Sequence, residues 1–280
     1  MAGGAQGASG TGAAGVRSAL KGASANGTLA SAACVPAGGV TVAAPVTWRD
    51  PQITVHVPIL MYHRVVPASQ AGDSLPSLVV APSLFEAQMA ALHAAGWHSV
   101  TLRQLAADMA AGRVEPPRTF VATFDDGYRD GYRYAFPALR RYGFVGTYFV
   151  ISGRVGMSAY LTPAELCALT RAGDEIGNHS VHHVALAGLS LAGASSEIAD
   201  ATRAIQAWTG VRPDTLAYPF GSWSFPVVSI VQRDGYAAAV TTAPGATETA
   251  GLRLLMPRVR VGPGTTAADL LAIVTRVGTP

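Results

Sequence analysis

Short apolar runs alternate with helix-like segments along most of the chain, and this alternation limits what the chain can fold into. Runs rich in β-branched and aromatic residues include RTFVATF (118–124), FVGTYFVI (144–151) and YAAAVTT (236–242). Segments with apolar residues at helical spacing lie between such runs, for example SLFEAQMAALHAAGW (83–97) and TAADLLAIVTRV (266–277). Because alternating strands and helices build parallel sheets, the pattern predicts a β/α architecture.

The number of strands favours a closed sheet over an open one. Further strands are predicted at 57–65, 98–102, 175–179, 215–220 and 256–261, and further helices at 103–112, 131–143, 163–173, 191–208 and 226–235. Seven or eight strands then alternate with helices, so we predict an α/β fold, a distorted (β/α) barrel of about seven strands. Chemistry in such barrels gathers where strands end and loops begin. Ser83 and Glu86 predict a capping box at the start of the helix at 83–97.

The first 50 residues differ in composition from the rest of the chain. Residues 1–50 are rich in Ala, Gly and Ser, and Trp48 is their only aromatic residue. Such a segment cannot bury enough apolar surface to offset its chain entropy, so we predict a disordered leader at 1–50 and a catalytic domain at 51–280. No convincing export signal is present, and no apolar run approaches the roughly 20 residues that cross a bilayer.

With Cys34 in the leader, we expect no disulfide and interpret Cys167 as a small core residue.

The charge balance argues against nucleic acid as a partner. The net charge is +3, of which residues 1–50 supply +2, since Arg17, Lys21 and Arg49 stand against Asp50. The remaining 230 residues therefore carry only +1. No basic patch with interleaved aromatic residues occurs, so the basic balance does not indicate a nucleic-acid surface.

Two carboxylates end one predicted strand, in the motif TFDDG (123–127). Consecutive side chains in an extended or turning backbone point to different sides, so Asp125 and Asp126 can perform different tasks. One can bind a metal ion while the other faces a water molecule. Taken alone, the motif could equally be an Asp-Asp-Gly turn that closes a strand.

Three of the seven histidines fall in the pentapeptide HSVHH (179–183), at the end of another predicted strand. If this turn is helical, His179 and His183 lie on one face and can meet one ion. Two histidines and a carboxylate leave coordination positions open, which is typical of a catalytic metal site. A solvated histidine loop is the alternative for this motif alone. His182 is expected to point elsewhere.

Two further strand ends carry polar or turn residues. His63 in YHRV (62–65) ends the first strand, although a buried structural histidine would also fit there. YPFG (218–221) can present a backbone N–H to a developing oxyanion, or it can be an ordinary turn.

Taken together, these motifs resemble the polysaccharide deacetylases, the NodB-homology family of carbohydrate esterases (family 4). The resemblance runs from about Val57 to the last strand and is carried by PILMYHRV, TFDDGYRD, GTYFV, EIGNHSVHH, LAYPFG and MPRVRV. The YHRV, YPFG and MPR motifs are most similar to the subgroup that acts on poly-β-1,6-N-acetylglucosamine. That subgroup is circularly permuted, and here no histidine follows His183.

The resemblance implies a role for each motif residue. Asp126, His179 and His183 would bind a divalent metal, Zn²⁺ or alternatively Co²⁺ or Ni²⁺. Asp125 would be the general base that deprotonates the attacking water, and His63 would protonate the leaving amine. The backbone N–H of Phe220 would stabilise the oxyanion.

One departure from the family pattern concerns the arginine that orients the catalytic aspartate. Ala217 stands at its position in the third motif, and Arg258 in MPR is our hypothesis for a substitute. The late Asp-Trp motif of the family is also not evident.

The expected activity is metal-dependent N-deacetylation of an N-acetylated glycan, with poly-β-1,6-N-acetylglucosamine as the leading substrate. The alternatives are peptidoglycan, chitin oligomers, a lipid-linked amino sugar, a small cyclic amide, or a glycan-binding protein without turnover. Such substrates place the protein in the periplasm or cell envelope of a bacterium, although the missing signal peptide leaves the cytoplasm open.

Overall fold

The computed structural model describes Cys34, Trp48 and residues 52–278. Its strands are β1 (Thr54–Val55), β2 (Ile59–Tyr62), β3 (Arg64–Val65), β4 (Val79–Val80), β5 (His98–Ser99), β6 (Thr119–Phe124), β7 (Gly146–Val150), β8 (Glu175–Asn178), β9 (Thr215–Ala217), β10 (Ala238–Pro244), β11 (Glu248–Thr249) and β12 (Met256–Arg260). Its α-helices are α1 (Pro82–Ala94), α2 (Leu102–Ala110), α3 (Phe136–Arg141), α4 (Pro163–Arg171), α5 (Leu191–Thr209), α6 (Phe225–Arg233) and α7 (Ala267–Val277). A π-helical stretch, Gly131–Ala135, leads into α3.

Seven parallel strands close into a barrel, which confirms the predicted fold class. Their order around the barrel is β2, β12, β10, β9, β8, β7 and β6, and β2 also pairs with β6 to close the ring. β5 adds a short parallel pairing at the start of β6. Every residue of β6 is buried, because one face of the strand meets the barrel interior and the other meets the helices. The carboxyl ends of all seven strands therefore open at the same end of the barrel.

The apolar core has an inner part and an outer part. Inside the barrel lie side chains such as Ile59, Val121 and Phe149, together with Ala217, the position where an arginine was expected. A larger cluster, including Phe85 and Phe120, packs the strands against the helices. None of the described helices is both long enough and apolar enough to cross a membrane.

Two local predictions about helices need correction. The capping box at Ser83 and Glu86 is wrong: α1 begins at Pro82, Ala81 is its N-cap, and no side chain caps it. Proline is pre-organised for the first helical position, so the helix starts at Pro82 and its N-cap lies two residues before the predicted one. The helix at 131–143 is split, with a π-helical turn before α3 and Pro137 in the first turn of α3.

The expectation that the two cysteines stay unpaired is also wrong. Cys34 and Cys167 form a disulfide with a Cα–Cα distance of 5.5 Å. Cys34 is buried, and Cys167 lies in α4. Because 133 residues separate the two cysteines, their pairing depends on tertiary proximity that composition does not reveal. Apart from Cys34 and Trp48, the predicted leader at 1–50 lies outside the described residues.

Candidate active site

The predicted site residues meet at the carboxyl ends of the strands. Asp125 and Asp126 directly follow β6, His179 directly follows β8, and His63 directly follows β2. Backbone hydrogen bonds extend the strand ladders to these positions: Asp125 donates its N–H to the Tyr62 carbonyl over 3.0 Å. The His179 N–H donates likewise to Val150 over 3.1 Å. The barrel thus fixes the backbone from which the polar side chains project.

Asp126, His179 and His183 form a compact group of potential metal ligands. Asp126 Oδ1 lies 3.5 Å from His179 Nε2 and 3.3 Å from His183 Nε2. One ligand atom from each residue lies within 4.8 Å of the others. Ligand atoms about 2.1 Å from a tetrahedral ion are about 3.4 Å apart, so the two measured distances fit such an ion. Asp126 Oδ1 is buried and accepts no hydrogen bond among the described residues, which an ion in this position would explain.

A hydrogen bond to a backbone carbonyl, on the side of the ring away from Asp126, sets the orientation of His179. Its Nδ1 lies 2.7 Å from the carbonyl oxygen of Ala217. The carbonyl can only accept, so Nδ1 carries the proton and Nε2 faces Asp126. Burial lowers the pKa of His179, but the interactions with Asp126 and Asp125 outweigh burial, so the pKa lies above its ordinary value. Burial, and next the charge of His179, lowers the pKa of His183 to about 4. The uncharged imidazole of His183 can therefore offer a lone pair at neutral pH.

The HSVHH segment is not helical, so the helical interpretation of the four-residue spacing is wrong. Residues 179–183 form an irregular turn in which Ser180 and His183 have positive φ angles of 63° and 56°. Ser180 Oγ accepts the N–H of His183 over 3.0 Å. Asn178 Oδ1 accepts the N–H of Ser180 over 2.7 Å. The two imidazoles, whose ring centroids lie 4.8 Å apart, therefore converge across an irregular hydrogen-bonded turn and not on one helical face.

Glu197 in α5 holds the outer side of the same turn. Its Oε2 accepts the backbone N–H groups of Val181 and His182 over 3.0 and 2.9 Å, and its Oε1 lies 2.6 Å from His182 Nδ1. His182 therefore points away from the metal group, as expected. No sequence motif marks Glu197, because it lies 14 residues beyond His183, inside the predicted helix at 191–208.

Asp125 is buried and paired with Arg258. Arg258 Nη1 and Nη2 donate to the two carboxylate oxygens of Asp125 over 2.8 and 2.7 Å. Arg258 also donates to Thr123 Oγ1 and to the Thr241 carbonyl, and its side chain is fully buried. Burial alone would raise the pKa of Asp125, but the charge and hydrogen bonds of Arg258 hold it well below its ordinary value. Asp125 is therefore ionised and fixed in orientation.

His63 lies on the other side of Asp125. Its Nε2 is 3.9 Å from Asp125 Oδ2, and its side chain is 14% exposed. Burial lowers the pKa of His63, and the charges of Asp125 and Asp126 oppose this only in part. A partly exposed imidazole next to the carboxylate pair can exchange protons with a substrate in the opening.

Phe220 borders the metal group through its side chain. Its ring centroid lies 4.4 Å from that of His183, and the residue has a φ of 58°. Of the five non-glycine residues with positive φ in the described part of the chain, four belong to the site motifs: Asp126, Ser180, His183 and Phe220. Each costs on the order of 1 kcal/mol or more. Strain concentrated in this way is typical of functional sites.

Comparison with known proteins agrees with this fold and with the family that the motifs resemble. The family model described as polysaccharide deacetylase matches residues 112–239. YxkH of Bacillus subtilis, whose name assigns it to the polysaccharide deacetylases, is 30% identical over 217 residues, which is 78% of this chain and 75% of YxkH. The chain therefore belongs to the polysaccharide deacetylase family and is a hydrolase that acts on amide bonds.

Solved structures share the same barrel. Streptococcus pyogenes deacetylase PplD, determined in complex with acetate, has a TM-score of 0.73 and 25% identity over 82% of this chain and 100% of its own. BC0361, a polysaccharide deacetylase from Bacillus cereus, has a TM-score of 0.70 and 25% identity over 80% of this chain and 69% of its own. IcaB from Ammonifex degensii has a TM-score of 0.69 and 21% identity over 83% of this chain and 100% of its own, which shows a shared fold.

Proposed function

We propose that this protein is a metal-dependent N-deacetylase that removes acetyl groups from N-acetylglucosamine residues of a polysaccharide. The observation that carries the proposal is the placement of Asp125 and His63 beside the group Asp126, His179 and His183. Amide hydrolysis needs a base for the attacking water and an acid for the departing amine, and this arrangement supplies one of each.

Asp126, His179 and His183 would hold the ion, and nitrogen and oxygen ligands of this kind suit Zn²⁺, with Co²⁺ or Ni²⁺ also compatible. A bound divalent ion lowers the pKa of water from 15.7 toward about 7 and polarises the amide carbonyl. Asp125, kept ionised by Arg258, takes a proton from the attacking water. His63, which its lowered pKa leaves uncharged in the free site, takes up a proton from solvent in the opening and gives it to the amine nitrogen as the C–N bond breaks, and the Phe220 N–H stabilises the negative oxygen.

Poly-β-1,6-N-acetylglucosamine is the substrate we favour within this class. The support is the origin of His63: the acid comes from β2, near the start of the domain, as in the permuted subgroup that the motifs resemble. Peptidoglycan and chitin-type oligomers would undergo the same chemistry and are therefore compared directly in the test below.

We further propose that the protein works outside the cytoplasm, in the periplasm or cell envelope of a bacterium. The support is the bond between Cys34 and Cys167, since disulfides form and persist in oxidising compartments. Blocking of free thiols before and after reduction, in protein isolated from its native cell, would show whether the bond is present there.

Acetate release from N-acetylglucosamine oligomers tests the activity. We expect release with β-1,6-linked oligomers in the presence of Zn²⁺, Co²⁺ or Ni²⁺ and loss of release after chelation. Asp125→Asn should lower kcat by about 10²-fold or more, since the base is lost. Asp200→Asn, the same change on an exposed carboxylate of α5, is the matched control and should keep wild-type activity.

The outcomes separate the alternatives. Faster release from β-1,4-linked or peptidoglycan substrates would overturn the preferred polymer but keep the chemistry. No release from any glycan with any metal would overturn the deacetylase proposal in favour of a binding protein. An Asp125→Asn protein as active as the wild type would refute the assigned base.

A further inference from the structure

The exposed aromatic residues are confined to one short segment at the active-site end of the barrel. Every exposed phenylalanine or tryptophan of the described residues lies between 220 and 225, directly after β9. Phe220, Trp223 and Phe225 are 66%, 38% and 77% exposed. A cluster of exposed aromatic side chains costs hydration free energy, and such clusters mark surfaces that bind ligands or partners.

This aromatic segment is continuous with the proposed active site. The Phe220 ring contacts the His183 ring at a centroid distance of 4.4 Å. Three residues further along the chain, the Trp223 and Phe225 rings meet edge to face at 5.7 Å. The three aromatic rings therefore lie within six residues of each other along the chain, and one of them contacts a metal-ligand candidate.

The backbone of the segment is held in place. Gly221 and Ser222 donate N–H groups to the carbonyls of Tyr218 and Pro219 over 2.8 and 2.9 Å. Gly221 has a φ of 67°, and a Cβ added there would lie 2.2 Å from Thr242 Oγ1, so the segment is pressed against β10. At its far end α6 starts at Phe225. An ordered aromatic surface loses little conformational entropy when a ligand binds.

The absence of charged residues from this aromatic segment restricts the kind of ligand it can bind. No charged residue occurs between Asp214 and Arg233. Anionic membranes and nucleic acids attract basic residues, so this surface fits neither. An N-acetylated pyranose is uncharged, and its C–H groups form flat apolar faces of about the size of an aromatic ring. Its hydroxyls and amide stay at the rim, where they reach water or polar groups.

We propose that Trp223 and Phe225 bind a sugar ring next to the residue that is deacetylated, so that the enzyme acts on a glycan chain in preference to a single sugar. This inference rests on the proposed function, because it assumes that the acetamido group reaches Asp125 and His63. It assigns these two side chains to substrate binding and gives them no part in the bond-breaking step.

Kinetics on long and short substrates test the assignment. For a hexamer of N-acetylglucosamine, Trp223→Ala and Phe225→Ala should each raise KM about tenfold, equivalent to about 1.4 kcal/mol. For a small acetyl ester, kcat/KM should change less than about twofold. Trp223→Phe should retain most of the hexamer affinity, since the flat ring remains. Leu252→Ala, at an exposed hydrophobic side chain of the short 3-10 helix Ala250–Leu252, is the control and should change the kinetics on neither substrate.

Four outcomes decide the inference. An unchanged hexamer KM in both alanine variants would overturn it. An equal loss of kcat/KM on the hexamer and on the ester would also overturn it, because that result indicates distortion of the catalytic residues. Selective loss of binding to lipid vesicles or to a partner protein, with hexamer kinetics intact, would assign the surface to another ligand. Calorimetry could show that the wild type binds the hexamer and that Trp223→Ala does not, while the wild type releases no acetate. In that case the proposed function fails and the assignment of this binding surface stands.

Discussion

Arg258 and Asp125 meet through two parallel hydrogen bonds of 2.8 and 2.7 Å, although 133 residues separate them. Both side chains are buried, so neither charge is solvated by bulk water. The planar guanidinium fits both carboxylate oxygens and fixes the plane of the carboxylate. Arg258 on β12 thus makes the contact with Asp125 that we expected of an arginine at Ala217, which lies two strands away on β9.

Arg258→Ala should reduce both activity and stability. Removal of the arginine leaves Asp125 as a buried carboxylate without its cation, which costs about 3–5 kcal/mol when one partner of a buried pair is lost. The pKa of Asp125 should rise and its orientation should loosen, so we expect kcat to fall by about 10²-fold. Acetate-release kinetics and urea unfolding measure the two effects.

Arg258→Lys separates charge from geometry. It keeps the positive charge but cannot form the bidentate contact, so it should recover much of the stability and little of the activity. If Arg258→Ala stays within about threefold of the wild-type rate, the positioning role is wrong.

The sequence predicted the barrel and the grouping of the candidate metal ligands better than it predicted the local geometry. Strand–helix alternation is a repeated signal, and TFDDG and HSVHH place unusual residues at strand ends, so His179, His183 and an aspartate of TFDDG could be named in advance. The family resemblance then selected Asp126 as the aspartate of the metal group. The turn that brings the two histidines together depends on left-handed residues and on Asn178, which hydrophobic periodicity does not encode.

Contacts between distant parts of the chain were the hardest to predict. The disulfide of Cys34 and the Glu197 contact with the histidine turn each join segments whose proximity arises only from the closed barrel and its packed helices. Arg258 was named only because the family resemblance exposed a missing arginine at Ala217. Pairwise proximity of this kind is a property of the tertiary fold and leaves no local pattern.

Glu197 is expected to control metal affinity without touching the metal. Because it accepts hydrogen bonds from Val181, His182 and the His182 ring, Glu197→Ala should loosen the turn that carries His183. Residues that orient metal ligands typically change affinity 10- to 100-fold, and we expect about tenfold weaker Zn²⁺ binding. Competition with a chromogenic chelator measures the affinity directly and requires no turnover.

Glu197→Gln is the conservative comparison. Its amide oxygen can still accept the two backbone N–H groups, so Zn²⁺ affinity should stay within about threefold of the wild type. Equal Zn²⁺ affinity in the alanine variant and the wild type would show that the turn holds His183 without Glu197.

Loss of the disulfide should lower stability. A cross-link between Cys34 and Cys167 restricts the unfolded chain, and for a separation of 133 residues the loop-entropy model gives about 5 kcal/mol. Measured effects are commonly about 2–4 kcal/mol, and we expect Cys34→Ser with Cys167→Ser to lose that amount in urea unfolding. Reductant should destabilise the wild type and leave the double variant unchanged. A wild type insensitive to reductant would contradict this expectation.

Asp174 should make the protein less stable as the pH rises toward neutrality. Burial raises the pKa of Asp174 to about 6, and the Gly146 N–H and the Arg140 charge offset this only in part. One carboxylate oxygen accepts the Gly146 N–H over 2.7 Å, while the other is buried and has no hydrogen-bond partner among the described residues. A folded-state pKa above the ordinary value means that the folded protein binds the proton more tightly. Asp174 therefore makes its full contribution to the free energy of unfolding below about pH 4, and this contribution is lost as the pH rises through 6.

Asp174→Asn keeps the acceptor for Gly146 and removes the buried charge. It should be more stable than the wild type by about 1–2 kcal/mol at pH 7.5 and nearly equal to it at about pH 3.5, below the ordinary pKa of an aspartate. Asp174 precedes β8, at the opposite end of that strand from His179, so acetate release should not change. Urea unfolding across this pH range measures the difference, with Asp200→Asn as the exposed-carboxylate control. If the gap between Asp174→Asn and the wild type is the same at both pH values, the buried carboxylate is not the source of the pH dependence.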